Sequence, residues 1–425
     1  MASAMHLIRI SAELNKHFSK RERKSTKRTQ TIQYVRSPVI SRKHEVHSCV
    51  LVRLAVLFAT YWLKTLKNKD MKIMAEKLLE IKNLRYSFRT YGGTVKAVRG
   101  VSYDVRKGEI LGIVGESGCG KSVTAQCILR LNPEPPGFVE GGEILFEGKD
   151  LLKSSKKEMR DIRGKKIGFI FQDPMTSLNP TMRVGKQIEE VFVGQNNVSR
   201  KEAHDRALEM MKMVGISDAE KRFRQFPHEL SGGMKQRVMI AMALVSKPSL
   251  IICDEPTTSL DVTIEAQILD LLLELREKTG TSIIMITHDL GVIARICDRV
   301  VVMYGGEVME HGNANEIFYQ TAHPYTRGLL NSIAGLSTPK DAVLKPIDGT
   351  PPDLFSPPKG CPFAARCEYA MKICQDYPAP EAKLSESHET VCWLQNKMAP
   401  DVDLHVERRG RKKDENSETN TAAKE

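Results

Sequence analysis

Long apolar runs are missing from this 425-residue chain: no stretch of about 18 or more uncharged apolar residues occurs, so nothing in it reads as a membrane-spanning helix. No convincing signal peptide is present either, which makes a reducing compartment the expectation for its nine cysteines. Beyond residue 70 the chain lacks an excess of either charge, with 49 basic against 48 acidic side chains. That balance gives no reason to expect nucleic acid as a partner. Acidic residues are scarce only in residues 1–70, 4 against 15 basic, and this stretch holds nearly all of the formal net charge of +12. What the chain does have is an apolar content of 41 %, too high for disorder throughout, and a length that suits about two or three domains.

Residues 1–70 differ from the rest. Up to Ser48 they are rich in Lys, Arg and Ser without periodicity, and residues 49–63 then form an apolar run broken by Arg53. The run is too short and too charged to span a bilayer. Three readings fit it: a start assigned too early, with Met71 or Met74 the true first residue; a basic arm on an anionic membrane surface; or a transit peptide. The remainder divides into a main domain over 76–322, a smaller one over 323–398 where the chain turns Pro-rich and Cys-containing, and a polar, disordered tail over 399–425.

The main domain reads as α/β. Residues 78–84 and 97–105 alternate like half-buried strands, and 109–114 is a short apolar strand ending in a Gly-rich turn. A helix is expected over 123–131, stopped by Asn132 and Pro133, and a strand over 166–171. Residues 175–248 are mostly helical. The continuous apolar runs 250–253 and 283–286 suit strands buried on both faces of a parallel sheet. Between them Ile264, Ile268, Leu271, Leu272 and Leu275 recur at helix spacing, with Gly280 as the stop.

Three motifs carry chemistry. Residues 115–122 read Gly-Glu-Ser-Gly-Cys-Gly-Lys-Ser, which fits G-x-x-x-x-G-K-S between a strand and a helix. Glycines there let backbone N–H groups converge on phosphate oxygens at a helix N-terminus. Lys121 is then placed to reach the β- and γ-phosphates, and Ser122 to ligate Mg²⁺. Second, the strand at 250–253 delivers Asp254 and Glu255 at its C-terminal end, where an open α/β sheet binds ligands. Asp254 would hold Mg²⁺ through its water shell, and Glu255 would orient and polarise the attacking water. Third, Leu230-Ser231-Gly232-Gly233-Met234-Lys235-Gln236-Arg237 opens a helix with a serine at the cap. A second anion-binding helix end in one chain suits a nucleotide held by another subunit.

With these residues in this order the sequence resembles the ATPase subunits of ABC transporters, over residues 78–393. Gln172 stands as the Q-loop, Leu230 to Arg237 as the signature, Ser259, Leu260 and Asp261 as the D-loop, and His288 follows a strand. Residues 171–180 and 323–330, with 346–352 and 360–367, resemble the oligopeptide/dipeptide importer group, which includes nickel importers. The resemblance implies an ABC-type P-loop NTPase fold with an inserted helical subdomain at about 175–248 and a small Cys-containing C-terminal domain. It implies that two subunits sandwich two ATP molecules, each held by one subunit's phosphate loop (Gly115, Ser117, Gly118, Cys119, Gly120, Lys121, Ser122 and Val123) and by the other's Ser231, with Gly232, Gly233 and Asp261 also counted among the nucleotide-binding residues. Catalysis falls to Glu255, His288, Gln172 and Lys121, with Ser122, Gln172 and Asp254 around Mg²⁺. Tyr91 is the candidate to stack on adenine, Phe88 the runner-up. The implied partners are a second, homologous ATPase, two transmembrane permeases and an extracytoplasmic peptide-binding protein, with no nucleic acid, at the cytoplasmic face of the membrane. The alternatives are a nickel importer of the same group and an ABC ATPase without a transporter, whose usual tandem cassette or long coiled-coil insertion this chain lacks. A membrane- or nucleic-acid-binding module built on the basic arm is the remaining rival.

Cys361, Cys367, Cys374 and Cys392 are spaced C-x5-C-x6-C-x17-C. Four thiolates can close a zinc site or hold an iron–sulfur cluster, and gaps wider than C-x2-C favour a 4Fe–4S cluster over Zn²⁺, with free buried thiols the remaining alternative.

Overall fold

The computed structural model describes residues 76–196, 198–258, 261–332 and 346–404. The readings of residues 1–70, of Ser259 and Leu260, and of most of the 399–425 tail lie outside them.

A hairpin of β1 (Lys77–Thr90) and β2 (Gly93–Arg106) comes first, then β3 (Ile110–Val114) and helix α1 (Lys121–Ile128). β4 (Gly137–Phe146) and β5 (Lys149–Asp150) return to the hairpin and complete a four-stranded antiparallel sheet, ordered β2-β1-β4-β5. After helix α2 (Lys156–Ile162), β6 (Ile167–Ile170) enters a second sheet with β7 (Leu250–Asp254), β8 (Ser282–Ile286), β9 (Arg299–Tyr304) and β10 (Glu307–Asn313). Two short strands of the tail, β11 (Glu381–Lys383) and β12 (Glu389–Val391), extend that sheet, giving the order β11-β12-β10-β9-β3-β8-β7-β6. From β9 to β6 the neighbours are parallel; the other three pairings are antiparallel.

β3, β7, β8 and β9 are buried at every position. Their period of two sorts them into two cores. Ile110, Ile251, Cys253, Ile283, Met285, Val300 and Val302 face the helices that carry the insert. Leu111, Ile113, Leu250, Ile252, Ile284, Ile286, Val301 and Met303 face α1 and the antiparallel sheet. Continuous apolar strands are therefore what a sheet covered on both sides demands.

The insert runs through α3 (Pro174–Ser177), α4 (Val184–Asn196), α5 (Arg200–Met213), α6 (Ala219–Phe223) and α7 (Gly232–Leu244). Helix α8 (Val262–Thr279) then returns the chain to β8. The Asp261 side chain caps it by accepting from the Ile264 amide at 3.0 Å, and Gly280 ends it in the left-handed region at φ 70°, the stop that the sequence pattern predicted.

The tail from residue 323 is fastened to the sheet through Glu310. This fully buried carboxylate on β10 accepts from the Ala322 amide at 2.7 Å and the His323 amide at 3.2 Å, and lies 2.8 Å from His388 Nε2 just before β12. Glu310→Ala strands those donors in a dry site. It should cost about 3 kcal/mol of stability, read as a lowered thermal midpoint of the full chain; an unchanged melt would show that the carboxylate holds nothing.

Candidate functional site

The phosphate loop follows β3 and opens α1. Gly115, Gly118 and Gly120 have φ values of 149°, 78° and 95°, where a side chain is strained. At two of them there is no room either: a Cβ on Gly115 would lie 2.1 Å from the Met303 carbonyl oxygen, and one on Gly120 2.5 Å from that of Ala97. Lys121 is buried, and its ammonium donates to the carbonyls of Gly115 at 2.8 Å and Glu116 at 2.9 Å. Cys119 is buried beside it, its thiol pushed up by burial and so no ready nucleophile. The Glu116 amide donates to the Tyr325 hydroxyl at 2.9 Å, which ties the loop to helix α9 (Pro324–Asn331). His323 caps that helix by accepting from the Tyr325 amide at 3.0 Å. Complete burial holds the imidazole neutral, its pKa lowered to about 3, and a neutral ring nitrogen is what the cap requires.

Two carboxylates meet the loop at the end of β7. Ser122 donates to Asp254 Oδ1 at 2.8 Å; burial raises the Asp254 pKa, and the Ser122 hydrogen bond opposes that shift. A hydroxyl and a carboxylate side by side are the hard oxygen donors that suit Mg²⁺. Glu255, held at φ 47°, is gripped from three sides. Gln172 Nε2 donates to its Oε2 at 2.7 Å, Thr258 Oγ1 donates to the same oxygen at 3.0 Å, and His288 Nδ1 lies 3.4 Å from Oε1. Thr258 was not legible in the sequence, where it is one of two threonines in a turn. Its proximity to Glu255 is the only clue.

The third motif forms a separate corner. Ser231 caps α7 by accepting from the Met234 amide at 3.4 Å. A Cβ on Gly233 would lie 2.8 Å from Ile264 Cγ2, so the glycine lets α7 approach the start of α8, which Asp261 caps. Two helix N-termini are thus presented together. Tyr91 is fully exposed at the β1–β2 turn, whereas Phe88 is half-buried edge-on to Tyr86.

Cys361, Cys367, Cys374 and Cys392 come together in the tail. The Cys361 amide donates to the Cys374 carbonyl at 2.8 Å. Burial, with the neighbouring thiols adding to it, pushes Cys361 and Cys367 up to about 11 and Cys392 to about 12. Among the described residues, however, no group of three or more His, Cys, Asp or Glu side chains is arranged to hold a metal ion. The geometry does not carry the expected iron–sulfur or zinc site.

A parallel sheet ending in a glycine phosphate loop, paired carboxylates on the next strand but one and a helical insert with its own capped N-terminus define a phosphate-loop nucleotide-binding domain. The family model for ABC transporters matches residues 98–258, and that for the oligopeptide/dipeptide transporter C-terminal region matches 309–374. The chain is 57 % identical over 331 residues to the oligopeptide transport ATP-binding protein of Bacillus subtilis, covering 78 % of this chain and 92 % of that one. It is 56 % identical to the dipeptide transport ATP-binding protein of the same organism over 324 residues, 76 % of this chain and 96 % of that one. Among solved structures, a dimeric bacterial ABC transporter cassette matches with a TM-score of 0.50 at 30 % identity, covering 56 % of this chain and 98 % of that one. The chain belongs to the ATP-binding subunits of ABC transporters, in the oligopeptide/dipeptide group.

Proposed function

We infer that this chain hydrolyses ATP to energise import of di- or oligopeptides through a membrane ABC transporter. The observation that carries the cargo class is the match across both the catalytic domain and the tail to proteins named for oligopeptide and dipeptide transport. Both are named for peptides rather than for nickel.

The roles of individual residues rest on the geometry above. Backbone N–H groups of the phosphate loop and the Lys121 ammonium bind the triphosphate, and Ser122 and Asp254 would hold Mg²⁺, which neutralises phosphate charge when bound. Glu255 aligns the attacking water and accepts its proton, with Gln172, Thr258 and His288 fixing the carboxylate's rotamer. Ser231 and the α7 N-terminus face outward for a nucleotide on a second subunit, in keeping with the dimeric state of the cassette that this fold matches. The α3–α7 insert, entered just after Gln172, passes the resulting motion to permease helices.

Permease partners follow from membership of the group, and no helix among the described residues is long and apolar enough to cross a membrane. The finer assembly is a proposal: a second, homologous ATPase, two permeases and an extracytoplasmic binding protein, with this chain on the cytoplasmic face. For the four clustered thiols the reading is a 4Fe–4S cluster, with Zn²⁺ the alternative, formed only once the thiols close from the arrangement described above, which does not itself hold a metal ion. Affinity purification of the native chain from membranes should recover two permeases and a related ATPase, and should give iron and visible absorbance. Recovery of the chain without any membrane protein would overturn the transport reading, and a colourless, iron-free complex would dispose of the cluster.

A further inference from the structure

The phosphate loop carries an acid, Glu116, directly after its first glycine. A bare carboxylate there would put a negative charge within the loop that is built to bind a polyanion. The structure meets that charge from the tail. Arg366, one residue before Cys367, is 5 % exposed along its side chain and uses all five of its N–H donors. Nη1 donates to Glu116 Oε2 at 2.6 Å and to the Tyr304 hydroxyl at 3.0 Å. Nη2 donates to Glu116 Oε1 at 3.0 Å and to the Ile347 carbonyl at 2.9 Å. Nε donates to the Asp348 carbonyl at 2.9 Å. The fork-to-fork pair is therefore bidentate, largely shielded from solvent, and locked on its far side by the tail's own backbone. The contact also reaches the loop's lysine, because the Glu116 carbonyl is one of the two that hold the Lys121 ammonium.

We propose that Arg366 is a positioning residue for ATP: by neutralising Glu116 it removes the repulsion between the phosphate loop and the triphosphate, so the C-terminal segment sets ATP affinity. The inference deepens the ATPase reading and rests on it. It also gives the tail a part in the nucleotide site that its distance in sequence hides, 250 residues from Glu116. Placed beside Cys367, the guanidinium takes its position from the fold of the four-thiol segment.

The test is a charge cycle in the full chain, reading KM and binding affinity for ATP with Mg²⁺ separately from kcat. Arg366→Gln should raise KM about tenfold, the effect of one unpaired charge close to the ligand, while kcat stays within about twofold because the Glu255 cluster is untouched. Arg366→Lys, which keeps the charge without the fork, should restore most of the affinity. Glu116→Gln should bind ATP as well as the unmodified chain or better, and Glu116→Gln combined with Arg366→Gln should return to within about threefold of it. An unchanged KM in Arg366→Gln, or a double variant as weak as that single one, overturns the proposal in favour of a purely structural contact. Should Arg366→Gln not fold, Glu116→Gln decides alone, since weaker ATP binding there is the opposite of what neutralisation requires. Failure of the unmodified chain to bind ATP at all would instead strike the ATPase reading itself.

Discussion

Glu255→Gln should bind ATP with unchanged affinity and hydrolyse it at least about a hundredfold more slowly, the lower end of what a positioned general base contributes. The substitution keeps the side chain's length and one oxygen, so Gln172 Nε2 or Thr258 Oγ1, now 2.7 and 3.0 Å from Oε2, can still donate to it. What is lost is the basic oxygen on the His288 side, where Oε1 has only the imidazole at 3.4 Å and stays free to take a proton from water. Binding is spared because the phosphate loop and Lys121 are separate from this carboxylate. The measurement is steady-state phosphate release beside an ATP-binding isotherm. Turnover within a few-fold of the unmodified chain would remove Glu255 from its role.

Lys121→Met should have the opposite signature: ATP affinity lower by about a hundredfold or more, with turnover lost as a consequence. Methionine keeps much of the side chain's length and its apolar stem but deletes the charge. The ammonium now rests on the Gly115 and Glu116 carbonyls and is nearly excluded from solvent, at 5 % exposure. On ATP binding it would exchange those two acceptors for phosphate oxygens without first shedding a large water shell. Two charge-assisted hydrogen bonds at about 1.5–3 kcal/mol each account for the predicted loss. A fluorescent ATP analogue titrated with Mg²⁺ checks it, with a thermal melt to show the chain folded. Undiminished binding would mean that the loop's backbone alone holds the triphosphate.

These two variants separate the parts of the site by how the sequence encodes them. Lys121 was legible because a phosphate loop is contiguous: its glycines, its lysine and the strand and helix around it lie within some dozen residues, and each local choice points the same way. The parallel strands were legible for a related reason, since burial on both faces leaves an unbroken apolar run. The helices within residues 175–248 and the Gly280 stop of α8 followed from periodicity and end signals, whereas the Asp261 cap came only with the structure.

The Glu255 cluster is a different matter. Gln172 comes 83 residues before it, His288 follows another strand, and Thr258 carries no pattern of its own. Resemblance to a family named two of those residues, but no local rule aimed them at one carboxylate. The antiparallel sheet was equally obscure, because β4 pairs with β1 across β3 and α1, and such pairing is decided by how two faces pack.

The sequence by itself determined the phosphate loop and the α/β core through contiguous motifs whose physics is local, and the ATPase class and transporter group through its resemblance to a family. Only the tertiary structure decided that the tail joins the main sheet through β12 and Glu310, that four thiols gather there, and that Arg366 closes on Glu116. Those contacts join segments far apart in the chain, and their stability comes from burial and charge pairing that exist only once the sheet has formed.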